Sequence, residues 1–272
     1  MKLPHALTRC LPHKYAINAA ALGDARALAW SNLGYWKKIA DYPTACAQLA
    51  DQLAAAVSLK PHDRLLDLGC GQGASLQHWL SVHHVQHVTG VELQPAQVKR
   101  MQSQLAAVDQ VLQGSFLALD PAVFSQPFDV ALCIDAAYHS PLAAFLTSTK
   151  RVLATHGRLG FHTLMLSAQW YKLSMWQKQK YYYLLRAADV DLRQLHDQQR
   201  IEQSIEQQGF KLLSLRDIST PVLNGFADYI TQRQGTPDHT LDLLKIQMTA
   251  KLCRYLYDDG VIRYVEIAAE KQ

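Results

Sequence analysis

The residues best suited to bind a ligand form the run DLGCGQG at positions 67–73, which follows RLL at positions 64–66. The leucines of this stretch are typical of a parallel strand buried on both faces. Three glycines at alternate positions let the backbone approach a ligand closely and take φ values closed to other residues. Ser75 is a suitable N-cap for a helix that continues to Leu80. The pattern therefore predicts a strand, a glycine loop and a helix, which together cradle a small molecule.

The spacing of the glycines separates this loop from phosphate-binding loops. A dinucleotide loop reads G-x-G-x-x-G, and a phosphate-binding loop needs Gly-Lys-Ser/Thr, whereas this chain has D-x-G-x-G-x-G. A carboxylate followed by alternating glycines suits a ligand without phosphates. Glu92 then ends the run VTGV at positions 88–91. A carboxylate at the tip of a second strand is placed to accept hydrogen bonds from both hydroxyls of a ribose.

The loop and Glu92 together resemble the class I methyltransferases that use S-adenosylmethionine, in particular their small-molecule branch, which acts on natural products, lipid quinones and sugars. A tight strand-to-helix turn would explain the glycines alone, but it would not explain Glu92. The resemblance implies an α/β, Rossmann-like fold with a mostly parallel seven-stranded sheet, helices on both faces and a helical lid. It also implies S-adenosyl-L-methionine as the cofactor.

The resemblance assigns cofactor-binding roles along the loop and the second strand. Asp67 would orient the loop near the methionine end of the cofactor, while Glu92 would accept the ribose hydroxyls and Leu93 would contact adenine. The loop residues whose backbone would approach the cofactor are Gly69, Cys70, Gly71 and Gly73.

Two further strand ends carry expected cofactor contacts. After strand three the family usually has a glycine and an aspartate that binds the adenine amino group, but this chain has Gly114, Ser115 and Phe116. A serine hydroxyl still accepts a hydrogen bond without the charge, so Ser115 predicts a weaker adenine contact. After strand four, Asp135 stands where the family places residues beside the methionine moiety and the substrate.

His139 is the candidate catalytic base. The methyl donor is already activated, so the protein mainly aligns the acceptor and removes its proton. Imidazole titrates near neutral pH, and the resemblance includes enzymes in which a histidine just after strand four is the base. Capping of the next helix or a bond to backbone is the alternative for His139. His162 lies in strand five and could lie next to His139, although strand histidines often bond only within the core.

The alternation of strands and helices predicts one methyltransferase domain over residues 1–272. Its core covers about 45–166, 195–218 and 261–272, and the lid segments are 1–44, 167–194 and 219–260. The expected strands cover residues 65–68, 88–91, 111–112, 128–134, 158–166, 210–218 and 261–269, and helices besides the one after the loop are expected at 43–59, 95–108, 141–153 and 195–208.

Composition narrows the class of protein and its location. The chain has 272 residues, 49% of them hydrophobic and 18% charged, which is enough for one large core. Its net charge of +4 is too mild for a nucleic-acid footprint, so no nucleic-acid partner is expected. Five separated cysteines indicate free thiols in a reducing compartment. Residues 1–12 lack a secretory signal, and no stretch approaches the roughly 20 apolar residues of a membrane span. These features together predict a cytoplasmic location.

Three other features allow more than one interpretation. The first is an aromatic segment interleaved with basic residues, which predicts a substrate pocket, a membrane or nucleic-acid surface, or a lid helix that packs most of its aromatics, with one or two facing the pocket. The second is the run LGYW at 33–36, where core packing of Tyr35 and Trp36 is favoured over ligand contact. The third, His83, His84 and His87, lacks an acidic partner at ligand spacing, so a solvated loop is favoured and no metal is expected. The aromatic segment comprises Trp170, Tyr171, Trp176, Tyr181, Tyr182 and Tyr183, with Lys172, Lys178, Lys180 and Arg186.

The function predicted from the sequence is methyl transfer to a small, partly apolar or aromatic acceptor, with oxygen slightly preferred because of His139. Two alternatives stay open. A nucleic-acid methyltransferase would ordinarily show a proline-rich tetrapeptide after strand four, which this chain lacks. A non-catalytic protein that binds the cofactor and regulates a partner is supported only by Ser115.

Overall fold

A single mixed sheet organises the part of the chain that the structure, a computed structural model, describes, namely residues 18–233 and 241–272. Apolar runs separated by turns produce short buried strands at the positions that the sequence pattern predicted. The strands are β1 (Arg64–Leu68), β2 (His87–Glu92), β3 (Gln110–Gln113), β4 (Phe128–Cys133), β5 (Leu153–Leu166), β6 (His196–Asp197), β7 (Phe210–Asp217) and β8 (Ile262–Lys271).

The strand order is β3-β2-β1-β4-β5-β8-β7, with the two-residue β6 beside β5. Strands β1 to β5 pair in parallel, and β8 is antiparallel to both β5 and β7. The predicted seven-stranded, mostly parallel sheet is therefore confirmed, with β6 as a short addition. The order reverses between β1 and β4, and the crevice at the carboxyl ends of such strands is where open α/β sheets bind ligands.

Helices cover both faces of this sheet. Strand β1 shows the division, since Leu65 belongs to the apolar cluster on one face, while Leu66 and Leu68 belong to the cluster on the other. The helices are α1 (Ala19–Leu22), α2 (Tyr42–Ala56), α3 (Ala74–Ser81), α4 (Pro95–Gln104), α5 (Leu142–Val152), α6 (Met175–Ala187), α7 (Gln198–Gln207), α8 (Gly225–Gln232) and α9 (Leu241–Asp258).

Two local predictions are wrong. The N-cap of α3 is Gly73, whose φ of 94° lies in the left-handed region, and Ser75 lies inside the helix, where its side chain bonds Asp67 instead. Strand β5 begins at Leu153 rather than at residue 158, because α5 passes directly into the strand without an intervening loop.

Two further expectations concern the cysteines and membrane-spanning helices. Four cysteines are free, as predicted, and all four are buried, while Cys10 and the segment 1–12 lie outside the described residues. Within the described ranges, no helix has the length and apolar character needed to cross a bilayer. The four free cysteines are Cys46, Cys70, Cys133 and Cys253.

Phe145 on α5 gives a test of the packing between helix and sheet. Its ring is fully buried and meets Phe116 and Phe161 edge to face, with centroid distances of 5.6 and 5.3 Å. We expect Phe145→Ala to lower the free energy of unfolding by about 3–5 kcal/mol, because the cavity it leaves adds to the lost burial. Urea denaturation measures the change. The exposed Val123→Ala is the control and should stay within about 0.5 kcal/mol of wild type. Equal small losses in both variants would contradict the packing.

Candidate active site

One cavity of about 810 Å³ lies at the carboxyl ends of the parallel strands. Its volume is within the usual range for small-molecule sites. The structure brings ten of the eleven residues singled out from the sequence to its wall, although they come from four separate strand ends. These ten are Asp67, Gly69, Cys70, Gly71, Glu92, Leu93, Ser115, Phe116, Asp135 and His139.

The glycine loop turns sharply under this cavity. All three alternating glycines have positive φ, namely 75° at Gly69, 57° at Gly71 and 94° at Gly73. A Cβ at position 71 would lie 2.8 Å from the Ser31 hydroxyl, so the loop is closely covered by the preceding segment. Gly73 does not line the cavity. A Cβ there would lie 2.7 Å from Cγ of Met101, so Gly73 is needed for the helix start and for packing on α4.

Glu92 connects the end of β2 to the glycine loop. Its Oε2 accepts a hydrogen bond from the backbone N–H of Gly71 at 2.9 Å, and its Oε1 accepts one from Gln94 at 2.8 Å. The side chain is buried but lines the cavity. A carboxylate has about four acceptor positions, so both oxygens can also accept from hydroxyls of a ligand.

Asp67 at the end of β1 is held from the opposite side of the loop. Its Oδ2 accepts a hydrogen bond from the indole N–H of Trp79 at 2.7 Å, and Ser75 bonds the same carboxylate. Burial raises the pKa of Asp67 to about 6, and the nearby Glu92 adds to the rise, while the two hydrogen bonds oppose it. Asp67 thus ties the start of α3 to the loop.

Asp135 collects hydrogen bonds from three separate parts of the chain. Its Oδ1 accepts from the hydroxyls of Tyr138 and Tyr264 at 2.7 and 2.8 Å, and its Oδ2 accepts from the backbone N–H of Leu33 at 2.8 Å. The residue has a φ of 54°, and burial raises its pKa even though the tyrosines oppose the shift. Tyr264 lies on β8 and was missed from the sequence, because no local motif marks it.

His139 contacts the lid. Its Nδ1 lies 3.0 Å from the backbone carbonyl oxygen of Asp189, in the segment after α6. A carbonyl only accepts, so this contact assigns the proton to Nδ1 and makes Nε2 the basic nitrogen of the neutral ring. The alternative expected from the sequence, a bond to backbone, is therefore present, and the same bond orients the imidazole.

His162 lies behind the cavity rather than in its wall. It is fully buried, and its Nδ1 is 3.4 Å from the backbone nitrogen of Asp135. Its ring packs near Tyr264, and its Nε2 is 3.8 Å from Oε2 of Glu266. The described cavity lining does not include His162, so its contact with the site runs through the backbone of Asp135.

The three expected lid segments all contribute residues to the cavity, but not the residues that were anticipated. The expectation that one or two aromatics of the segment 170–183 face the cavity is wrong, since none of the six lines it. Tyr181 is buried against Trp170, while Trp176 is 87% exposed. Trp36 stacks on Tyr229, in agreement with the prediction that Trp36 packs in the core. The lid residues in the wall include Leu33, Leu185, Leu223, Phe226, Ile246, Leu252 and Leu256.

The charged residues of the cavity wall at the strand ends indicate which kind of ligand can bind there. Among the described residues, the part of the wall built from positions 67–140 contains Asp67, Glu92 and Asp135 but no lysine or arginine. Such a wall disfavours phosphates and favours a cation. S-adenosylmethionine carries a sulfonium, a ribose and no phosphate, so the residues present fit this cofactor.

The raised pKa of Asp67 predicts that stability falls as the pH rises from about 4 to 6. In this window folded Asp67 keeps a proton that the unfolded residue, with a pKa of 3.8, has released, so unfolding becomes easier with rising pH. We expect Asp67→Asn to remove this component, which changes the difference in unfolding free energy between pH 4.5 and pH 7 by roughly 2 kcal/mol. Urea denaturation at both pH values measures it. The exposed Asp258→Asn is the control, and the same pH dependence in all three proteins would refute the assignment.

Comparison with known proteins identifies the family. A family model described as a methyltransferase domain matches residues 35–215. The erythromycin 3''-O-methyltransferase of Saccharopolyspora erythraea is 34% identical over 139 residues, which are 48% of this chain and 44% of that protein. The 27-O-demethylrifamycin SV methyltransferase of Amycolatopsis mediterranei is 29% identical over 168 residues, 59% of this chain and 61% of that protein. The chain thus spans about half the length of these relatives.

Solved structures agree on the fold. A cyclopropane synthase from Mycobacterium tuberculosis superposes with a TM-score of 0.73 at 18% identity, covering 95% of this chain and 96% of that one. The family match includes the glycine loop and the strand ends that form the cavity wall. The chain therefore belongs to the methyltransferase domain family, the class I enzymes whose cofactor is S-adenosylmethionine.

Proposed function

We propose that this protein transfers a methyl group from S-adenosylmethionine to a hydroxyl of a small, partly apolar acceptor. The observation that supports this most is a single cavity whose wall combines the carboxylate-lined glycine loop, His139 and the apolar side chains of the lid. The loop suits the cofactor, the lid suits an apolar acceptor body, and the histidine lines the same space. Relatives that include an erythromycin 3''-O-methyltransferase support oxygen as the methylated atom.

The cofactor supplies an electrophilic methyl group when it is bound. We propose that Glu92 accepts the ribose hydroxyls, that Leu93, which is 47% exposed in the cavity wall, flanks the adenine, and that Ser115 accepts from the adenine amino group. The Ser115 hydroxyl accepts a bond from the backbone N–H of Leu117 at 3.2 Å, so its proton points elsewhere and a lone pair remains. The backbones of Gly69, Cys70 and Gly71 complete the cradle, together with Phe116.

The carboxylates at the other strand ends have a structural and an electrostatic role in this proposal. Asp67 and Asp135 face the methionine end, where their negative charge stabilises a sulfonium. Asp135 also holds Tyr138, Tyr264 and Leu33, so the wall around the methyl group is fixed before the acceptor enters. Preorganised donors and acceptors lower the barrier because they do not reorganise during the reaction.

His139 acts at the acceptor. Nε2 of His139 would take the proton of the acceptor hydroxyl as its oxygen accepts the methyl group that the cofactor supplies, and would later release this proton to water. The contact between Nδ1 and the Asp189 carbonyl keeps the ring in the tautomer that this step requires. Because Asp189 belongs to the lid, closure of the lid over the acceptor also sets the base in place.

The acceptor class is inferred from the lid wall, where Leu223, Phe226 and Ile246 present apolar surface. Burial of a hydrophobic acceptor body there supplies binding energy at roughly 25 cal/mol per Å². We propose the cytoplasm as the location, because four buried free thiols suit a reducing compartment.

Glu92 and Ser115 give opposite tests of the cofactor site. We expect Glu92→Gln to weaken S-adenosylmethionine binding by roughly 10-fold or more, since hydrogen bonds to a charged acceptor are about twice as strong as neutral ones. Ser115→Asp restores the charge usual in the family and should tighten binding several-fold. Isothermal titration calorimetry measures both, with Asp109→Asn, an exposed aspartate just before β3, as the control. Unchanged affinity in both variants would rule out this placement of the nucleoside.

His139→Ala tests the base. We expect turnover to fall by roughly 100-fold, while the affinity for S-adenosylmethionine stays within a few-fold, because the histidine acts on the acceptor. Release of S-adenosylhomocysteine with a panel of phenols and hydrophobic alcohols measures turnover. The control is His84→Asn, which changes an exposed histidine and keeps a residue that tolerates its φ of 54°. Equal turnover in the two variants would show that His139 is not the base. If the wild type releases no S-adenosylhomocysteine with any acceptor of the panel, the proposed acceptor class is wrong.

A further inference from the structure

Two histidines and an aspartate meet on the surface formed by α2 and α3, away from the catalytic cavity. Oδ1 of Asp51 lies 2.7 Å from Nε2 of His78 and 2.8 Å from Nε2 of His83. The three atoms all lie within 4.8 Å of one another, and none of the three residues lines the cavity. Across residues 18–233 and 241–272, no other set of three such side chains converges in this way.

The sequence favoured a solvated histidine loop here because no acidic partner stood at ligand spacing near His83, His84 and His87. That interpretation missed Asp51, which comes from the preceding helix and lies 32 residues before His83. His87 belongs elsewhere, since it pairs with Asp109. The fold therefore assembles a donor set that local spacing does not reveal.

The chemistry of this set matches a borderline-soft divalent ion. Zinc binds imidazole nitrogens and carboxylate oxygens, and sites with three protein ligands complete a tetrahedron with water. Asp51 supplies one negative charge, and its side chain is 36% exposed, so an ion and a water can reach the site. His78 is 11% exposed and His83 24%, which holds the imidazoles without closing the site.

Small movements convert the present contacts into coordination. Ligand atoms around tetrahedral zinc lie about 3.3 Å apart, given bonds of about 2.0–2.1 Å, so Oδ1 of Asp51 must move roughly 0.5 Å away from each Nε2. His83 lies in the loop after α3, where such a shift is easy. Coordination uses the Nε2 lone pair of the tautomer that carries its proton on Nδ1, and it involves no change of oxidation state.

We propose that Asp51, His78 and His83 bind one divalent transition-metal ion of the zinc type, which ties α2 to α3. Trp79 connects the proposed ion site to the catalytic cavity. Trp79 packs against His78 and His83, with ring centroids 5.7 and 5.3 Å away, and its indole N–H donates to Asp67 on β1, just before the glycine loop. The site is a structural clamp behind the loop, independent of the acceptor and of the proposed base.

Cobalt and zinc titrations test the site directly. The full chain, freed of metal by dialysis against a chelator, is titrated with Co²⁺ by visible absorption and with Zn²⁺ by calorimetry. We expect one ion per chain and the intense visible bands of tetrahedral cobalt. Asp51→Asn and His83→Gln should each weaken binding by more than roughly 100-fold, which exceeds the effect of losing an outer hydrogen-bond partner.

The matched control is His84→Asn, which changes the exposed neighbour and keeps a residue that tolerates its φ of 54°. It should bind Co²⁺ like the wild type. Zinc should also raise the melting temperature of the wild type but not of His83→Gln, because only the folded site binds the ion. His83→Gln decides the matter if Asp51→Asn fails to fold. Absence of stoichiometric binding, or equal binding by wild type and His83→Gln, would overturn the proposal. The three side chains would then only hydrogen-bond to one another.

Discussion

The hydrogen bond from the backbone N–H of Gly71 to the carboxylate of Glu92 is the interaction on which the shape of the glycine loop depends. It joins the tip of β2 to the loop after β1, and a buried carboxylate is stable only when such donors satisfy it. Positive φ values at Gly69 and Gly71 make this approach possible. The same carboxylate then faces the cavity with acceptor positions to spare, so the element that shapes the loop is also the one proposed to grip a ribose.

Asp135 plays the corresponding part on the other side of the crevice. It gathers hydroxyls from Tyr138 and Tyr264 and a backbone N–H from Leu33, and thereby connects β4, β8 and the N-terminal cover. Nδ1 of His162 accepts a hydrogen bond from the backbone N–H of Asp135. His139 comes four residues later and is oriented by the Asp189 carbonyl of the lid. Hydrogen-bonded walls at the proposed methionine end and an apolar lid over the proposed acceptor site suit a family that shares one cofactor.

The strands, the glycine loop and the lining residues at the strand ends could be predicted from the sequence, because apolar runs, glycine spacing and the family motif are all read from short local segments. The predictions at Ser75 and at the start of β5 were wrong because helix ends depend on backbone conformation and on the neighbouring elements in space. Tyr264 could not be found, since it reaches Asp135 from 129 positions away. Asp51 was missed for the same reason, because it lies 32 positions before His83. The lid aromatics were misjudged because composition does not say which face of α6 meets the cavity.

A crystal structure of the protein with S-adenosylhomocysteine is the most direct test of this cofactor placement. We expect the ribose hydroxyls to bond Glu92, the adenine to lie against Leu93 near Ser115, and the backbone of residues 69–71 to lie next to the sugar. The homocysteine end should point toward Asp135, with open space beyond the sulfur beside His139. Density for the nucleoside in another crevice, or a ribose without contact to Glu92, would contradict this placement.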